Sequence, residues 1–272
     1  MPAEFEAVAE PGGRKPDPVL VVDEMFRRFG GLTAVHVHHL EVQRGTITSL
    51  IGPNGAGKTT LFNLLTGFDK PNAGEWHLDG GPLVGISSYE VARRGMVRTF
   101  QLTKSLARLS VLDNVVLGAP DQPGERLVRA LVGGWRRRES ENETKALELL
   151  DRFGLAEKRD DYAGSLSGGQ RKLLEMARAL MVDPAVIMLD EPMAGVNPAL
   201  TEDLLVHIKN LRDVEGKTVV FIEHDMDVVM DISDWVVCLA EGSVISEGPP
   251  AHVASDRAVI DAYLGSTHGE HA

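Results

Sequence analysis

One stretch constrains the chain more than any other: Leu50-Ile51-Gly52-Pro53-Asn54-Gly55-Ala56-Gly57-Lys58-Thr59-Thr60. It fits G-x-x-x-x-G-K-[ST] without a gap. An apolar run from Ile47 to Ile51 precedes it and reads as a buried strand. Leu61-Phe62-Asn63-Leu64-Leu65-Thr66 follows with helical apolar spacing and stops at Gly67. Strand, glycine loop and helix in that order are the context in which the motif has a mechanism. Glycines let the backbone curl until successive N–H groups point inward at phosphate oxygens, and the positive end of the helix adds to that field. Lys58 can then reach the outer phosphates, and the Thr59 hydroxyl can ligate Mg²⁺. The stretch is read as a nucleotide site.

A chain of 272 residues can bury a full core, as one large domain or as one domain carrying an inserted lobe. Its net charge of −12 argues against a mainly electrostatic grip on nucleic acid, which needs a basic face. A lone cysteine, Cys238, excludes an internal disulfide and points to a reducing compartment. No apolar run approaches the ~18–20 residues of a membrane span. Met1 to Pro18 has no continuous apolar segment and reads as a flexible arm, neither leader nor anchor.

From Val19 to Asp23 the pattern is a strand, and Met25 to Val42 suggests two short strands around Phe29-Gly30-Gly31. The Phe29 ring could stack on an adenine or sit in a core or edge, and spacing leaves the two open. On a strand, His36 and His38 would share a face beside His39. With no Cys or acidic partner at ligand spacing, the group reads as a solvated face rather than a metal site. Tyr89 to Arg94 suggests a short helix, and Met96 to Phe100 a strand that ends at Gln101. From there the character turns helical, with Lys145 to Phe153 strongly amphipathic and stopped by Gly154. The basic group Arg136-Arg137-Arg138 reads as the solvated start of a helix.

After Ser167-Gly168-Gly169, a helix is expected from Gln170 to Met181. Ala185 to Leu189 is a continuous apolar run of the kind found in a strand buried on both faces. A helix from Ala199 to Val214 and a second buried strand, Thr218 to Ile222, follow. That alternation marks a parallel sheet with crossover helices. Trp235 to Leu239 and Ser243 to Ser246 read as a closing hairpin, Ala254 to Leu264 as a last helix, and Gly265 to Ala272 as a loose tail.

Carboxyl ends of strands in open α/β sheets collect ligands, and Asp190-Glu191 lies at such an end. Asp190 is placed to hold Mg²⁺ through its water shell, and Glu191 to orient a water for attack on a γ-phosphate. His224, just past the second buried strand, and Gln101, at a strand end leading into the helical insert, occupy similar positions. A neutral amide such as Gln101 can hold water or metal without adding charge. Leu166-Ser167-Gly168-Gly169-Gln170 offers a hydroxyl and N–H groups to an anion, although by composition it is a capped helix start.

Taken as a set, these motifs resemble the ATP-binding-cassette (ABC) ATPases over nearly all of Val19 to Gly265. Gly52 to Thr60 matches Walker A, through Gly52, Pro53, Asn54, Gly55, Ala56, Gly57, Lys58, Thr59 and Thr60. Gln101 matches the glutamine loop, Leu166 to Gln170 the signature, Val186 to Asp190 with Glu191 Walker B, and His224 the switch histidine. Phe29 matches the adenine-stacking aromatic. Each occurs once, in the family's order. The resemblance implies an α/β fold. A P-loop NTPase core, mainly a parallel sheet with an antiparallel β subdomain, would carry an inserted helical subdomain near residues 102–183. The ATPase domain would span 19–265, between the arm (1–18) and the tail (266–272).

It further implies ATP and Mg²⁺ as ligands, with Thr59, Gln101 and Asp190 around the metal. Catalysis would fall to Glu191, His224, Gln101 and Lys58. A second cassette, identical or related, would meet this one head to tail, so that Ser167, Gly168, Gly169 and Gln170 reach the partner's ATP. Phe29 to Val35, Gly95 to Gln101, Pro192 to Pro198, Ile222 to Met226 and Ala262 to Gly265 are closest to LivG-type subunits of branched-chain amino-acid importers. One departure is Asn197, where many cassettes have Asp. Membrane permease subunits, an external substrate-binding protein acting indirectly, no nucleic acid, and a cytoplasmic place on the inner face of the membrane are the implied setting. The rival readings are an ABC ATPase for urea, lipopolysaccharide or other cargo, a soluble ABC protein acting on ribosomes or DNA, and a non-hydrolysing nucleotide-binding regulator.

Overall fold

The computed structural model describes residues 7–99, 106–120 and 135–266. The chain divides into two compact units. The first takes residues 1–98, 185–192 and 208–272, and the second 99–184 and 193–207.

In the first unit, strands β1 (Pro18–Phe29) and β2 (Leu32–Gln43) form a long antiparallel hairpin turning at Gly30-Gly31. With β4 (Ala73–Leu78) and β5 (Gly81–Pro82) they make a four-stranded sheet in the order β2-β1-β4-β5. Two short strands were expected up to Phe29; instead β1 runs unbroken through Glu24. That residue takes a left-handed φ of 48°, and the pairing with β4 shifts register between Asp23 and Phe26. A bulge of this kind keeps the strand continuous while re-aiming one side chain.

The second sheet of this unit holds β3 (Ile47–Ile51), β6 (Met96–Arg98), β7 (Val186–Asp190), β8 (Thr218–Ile222), β9 (Trp235–Ala240) and β10 (Ser243–Gly248). Their order is β10-β9-β3-β8-β7-β6. All of it is parallel except the closing hairpin β9-β10. Every residue of β3, β7 and β8 is buried, as continuous apolar runs covered on both faces must be. Leu50, Ile222 and Asp190 stand level across three neighbouring strands, so the carboxyl ends of β3, β8 and β7 open on one edge. Chain order reverses around β3: β8 lies on one side and β9, the next strand, on the other. Helix α1 (Lys58–Leu65) buries Leu61, Phe62, Leu64 and Leu65, and Trp76 of β4 donates its indole N–H to the Leu65 carbonyl at 3.1 Å.

Residues 7–17 correct the expectation of a flexible arm. The Lys15 backbone N–H donates to Glu41 Oε2 at 2.6 Å, and its ammonium donates to Gly13 O and to Glu247 Oε1, both at 2.8 Å. The ammonium also lies 4.1 Å from the centroid of the Trp235 ring. Both charged side chains are fully buried. Burial pushes the Glu247 carboxyl up, and the Lys15 hydrogen bond pulls it back.

The second unit is helical. Helices α2 (Ser88–Arg93), in the first unit, and α3 (Val111–Val116), in the second, begin at serine caps. In the second unit α3, α4 (Trp135–Arg152) and α5 (Gly168–Leu180) pack on one another. Buried Asn114 of α3 is fully used: its amide donates to Ser110 O at 2.8 Å and Leu106 O at 3.2 Å, and its oxygen accepts from Leu106 N at 2.8 Å. Helix α6 (Pro198–Asp213) starts in this unit at Asn197, whose Oδ1 accepts from Leu200 N at 2.9 Å, and ends in the first. Residues 193–207 group by their contacts with the helical unit.

In the first unit, α7 (Met226–Ile232) is capped by Asp225. The single last helix expected from Ala254 is instead two, α8 (Pro250–Ser255) and α9 (Arg257–Ser266). Asp256 breaks them with an extended ψ of 125° and accepts from Ala258 N at 2.9 Å.

Candidate functional site

The loop between β3 and α1 is built on three glycines with positive φ: Gly52 at 144°, Gly55 at 78° and Gly57 at 101°. A Cβ on Gly52 would collide with the Leu239 carbonyl oxygen, and one on Gly57 with that of Ala34, so side chains are excluded where the backbone turns. Lys58 folds back over the loop, donating to Gly52 O at 2.6 Å and Pro53 O at 3.0 Å. Burial lowers its ammonium below the usual lysine value, while Glu191 and Asp190 pull it up.

Beside the loop is a cleft of about 690 Å³, lined by Phe29 and Leu32 at one end, residues 54–60 along its floor, and Glu191 and Glu241. Phe29 sits at the tip of the β1-β2 hairpin with nearly half its surface exposed, and the Arg27 guanidinium covers one ring face at 4.3 Å. Gly242 ties the hairpin to the phosphate loop. Its N–H donates to Ala56 O at 3.0 Å and its carbonyl accepts from His36 N at 2.7 Å.

Thr59 and Thr60 lie in the first turn of α1 and line the cleft. Glu191, one residue past β7, is held at a left-handed φ of 47° with its N–H donating to Ile222 O at 3.0 Å. Asp190 is buried, and its Oδ2 accepts from Arg98 Nη2 at 2.5 Å while Arg98 Nη1 donates to Asn63 Oδ1 at 2.6 Å. Sequence reasoning assigned Arg98 no role. An arginine at a strand end carries no local signal, and its partners lie 35 and 92 residues away.

His224 follows β8 but its side chain is largely exposed and is not among the residues lining the cleft. Its backbone N–H donates to the buried Glu223 at 3.2 Å. Gln101 lies outside the described residues.

In the helical unit, Ser167 caps α5 in a full capping box: its hydroxyl accepts from Gln170 N at 3.2 Å, and Gln170 Oε1 accepts from Ser167 N at 3.0 Å. Gly168 is open, whereas a Cβ on Gly169 would strike Leu200. The helix start is therefore both well capped and bare enough for an anion to approach its N–H groups.

The histidine group departs from its reading in one respect. Glu24, across the hairpin, lies with His36 and His38 so that one ligand atom of each falls within 4.8 Å of the others. Sequence spacing could not show this acidic neighbour because the bulge at Glu24 supplies it. Glu24 and His38 are each about 70 % exposed and bond each other at 3.2 Å, as on a solvated face.

A cradle of N–H groups, a lysine, a hydroxyl at a helix start and two acids at a strand end can hold and polarise a polyphosphate. The ABC transporter family model matches residues 35–194, more than half of the chain. The chain belongs to the ABC transporter family. A second model, described as the branched-chain amino acid ATP-binding cassette transporter, matches residues 243–269 of the cassette. The cassette is 40% identical over 250 residues to the high-affinity branched-chain amino acid transport ATP-binding protein BraF of Pseudomonas aeruginosa, covering 91% of this chain and 98% of that one. It is 41% identical to LivG of Escherichia coli strain K12, with the same coverage. Among solved structures, it matches the ADP conformation of an ATP-binding cassette of an ABC transporter. There the TM-score is 0.80 at 36% identity, covering 91% of this chain and 99% of that one. The likeness confirms the α/β ABC-ATPase fold expected of the sequence. Among the described residues, no helix is long and apolar enough to cross a membrane.

Proposed function

We propose that the chain is the ATP-hydrolysing subunit of an importer for branched-chain amino acids, working as one of a pair of cassettes. The observation that carries this reading is the single cleft uniting Phe29, the phosphate loop with Lys58 and Thr59, and Glu191. Adenine would stack on the open face of Phe29, opposite Arg27. The loop N–H groups and Lys58 would take the phosphates. Thr59 and Asp190 would offer hard oxygen donors of the kind that suit Mg²⁺. Because Arg98 occupies Asp190 Oδ2, that carboxylate would act through a water. A Mg²⁺ held by Thr59 and Asp190 would supply charge neutralisation to the phosphates.

Glu191 would orient and polarise the attacking water, and positioning and charge would supply the rest, as is general for phosphoryl transfer. His224 and Gln101 would complete the γ-phosphate contacts. His224 must turn inward to do so. Ser167, Gly168, Gly169 and Gln170 would close on the ATP of the second cassette, which gives an open, well-capped helix start its purpose. The helical unit would pass the motion to permease subunits, which receive cargo from a substrate-binding protein, placing the chain on the cytoplasmic face of the membrane. The names of relatives about 40% identical over nearly their whole length support the cargo.

The test is phosphate release by the full chain with ATP and Mg²⁺, followed by leucine, isoleucine and valine uptake in cells lacking it. Release that rises more than linearly with protein concentration, and loss of uptake of the three amino acids, are expected. No release at any concentration would sink the enzymatic reading, and unchanged uptake would sink the cargo.

A further inference from the structure

Gly52 is gripped from two sides. Its carbonyl accepts from the Lys58 ammonium at 2.6 Å, inside the phosphate loop. Its N–H, the first beyond β3, donates to the hydroxyl of Tyr263 at 2.9 Å. Tyr263 comes from α9, more than two hundred residues along the chain, in the segment matched by the branched-chain cassette model. Helices α8 and α9 pack on β10 and on one another, and α8 also packs on β9, the strand paired with β3 through Ile51 and Cys238. Gly52 itself is buried, has a φ of 144°, and admits no Cβ against Leu239, so no side chain of its own can steady it. Burial holds the Tyr263 phenol above its usual value, so the hydroxyl is neutral at pH 7, an acceptor for the N–H and still able to donate onward.

We infer that Tyr263 is a positioning residue for the nucleotide phosphates: through the Gly52 N–H, α9 fixes the residue whose carbonyl, one peptide further on, anchors Lys58. The inference rests on the reading of the cleft as an ATP site. Without the hydroxyl, a buried N–H is left unpaired, which is costly. Gly52, free of steric limits that bind other residues, then escapes into other backbone conformations. Only the fraction of chains with a formed loop would bind, and apparent affinity falls by that fraction. The C-terminal helices thereby become a second handle on the loop. Any partner that tugs α9 would change nucleotide affinity without touching the cleft.

The experiment compares Tyr263→Phe with Val259→Ala in the full chain. Phe keeps the ring and removes only the oxygen. Val259 is buried on the same helix, so its truncation removes core packing and lowers stability while leaving the hydroxyl and its bond to Gly52 in place. Titration with a fluorescent methylanthraniloyl ATP and Mg²⁺, steady-state ATPase kinetics, melting temperature and amide exchange at Gly52 are measured on both. For Y263F, Kd and KM rise about threefold to tenfold, the cost of a partly populated loop, kcat stays within about twofold, and Gly52 exchanges faster. For V259A the melting temperature falls and Kd does not move. Wild-type affinity in Y263F, or equal weakening in both variants, overturns the inference. Absence of binding by the unaltered chain would refute the ATP reading instead, and Gly52 exchange would still decide whether the hydroxyl holds the loop.

Discussion

Among single residues, Glu191 and Arg98 make the sharpest claims. Replacing Glu191 by Gln keeps size and most hydrogen bonding but would remove the proposed base. ATP binding is retained while turnover falls on the order of 10²–10⁴-fold, the usual range for a general base. A nucleotide-dependent dimer accumulates, visible by gel filtration with ATP. Turnover at the wild-type rate would strip Glu191 of its role. Arg98→Ala leaves the buried Asp190 carboxylate without its partner, and removing one member of a buried pair costs roughly 3–5 kcal/mol. A melting temperature unchanged from wild type would show that the pair contributes nothing. Arg98→Met, which fills the space without a charge, is expected to destabilise as well, because the orphaned acid is the problem and not the volume. Asp190 and Glu191 were legible in the sequence because a buried apolar run ended on them. Arg98 was not, since nothing in Met96-Val97-Arg98 says what lies across two strands.

Elements were legible where a period or a run marked them. β8 falls on the expected boundaries and β7 is displaced by one residue from the expected Ala185 to Leu189, both being buried runs, and α5 follows its capping box. What escaped was decided by long-range pairing in the unbroken β1 and the anchoring of residues 7–17, and by a local cap at Asp256 that splits the last helix. Two measurements belong at this scale. Lys15→Met leaves the buried Glu247 carboxyl with the Gly13 N–H but without its counter-ion, so the melting temperature drops. The drop shrinks on acidification, because burial holds the Glu247 carboxyl above its usual value and acid neutralises the charge left without Lys15. In the hairpin, burial alone would lower His39. Hydrogen bonds to Asp23 at 2.6 Å and Glu41 at 3.0 Å outweigh it and hold the imidazole above its ordinary 6.5. A raised histidine adds stability that is full below pH 6.5 and is lost as pH climbs through the raised value. The melting difference between wild type and His39→Gln is therefore larger at pH 6 than at pH 8.5; a difference independent of pH would refute the pairing.

For the whole molecule, the order of motifs made the architecture readable at once, since the core must bring strand ends to a phosphate loop wherever such a loop occurs. The boundary of the helical unit was less readable. Residues 193–207 return to it after the sheet has resumed, and no change of composition announces that return. The proposed pairing with a second cassette is also tested at this scale. Ser167→Arg should leave ATP binding to the isolated chain intact and abolish the steep concentration dependence of hydrolysis; unaffected hydrolysis would mean one chain suffices. A last consequence comes from Gly242, whose two backbone bonds join the hairpin to the phosphate loop and which has no room for a Cβ against Ala34. The separation between the aromatic tip and the lysine is thus set by main chain touching main chain, like the jaws of a fixed gauge. Such a gauge measures ligand length, and no exchange of surface side chains can reset it.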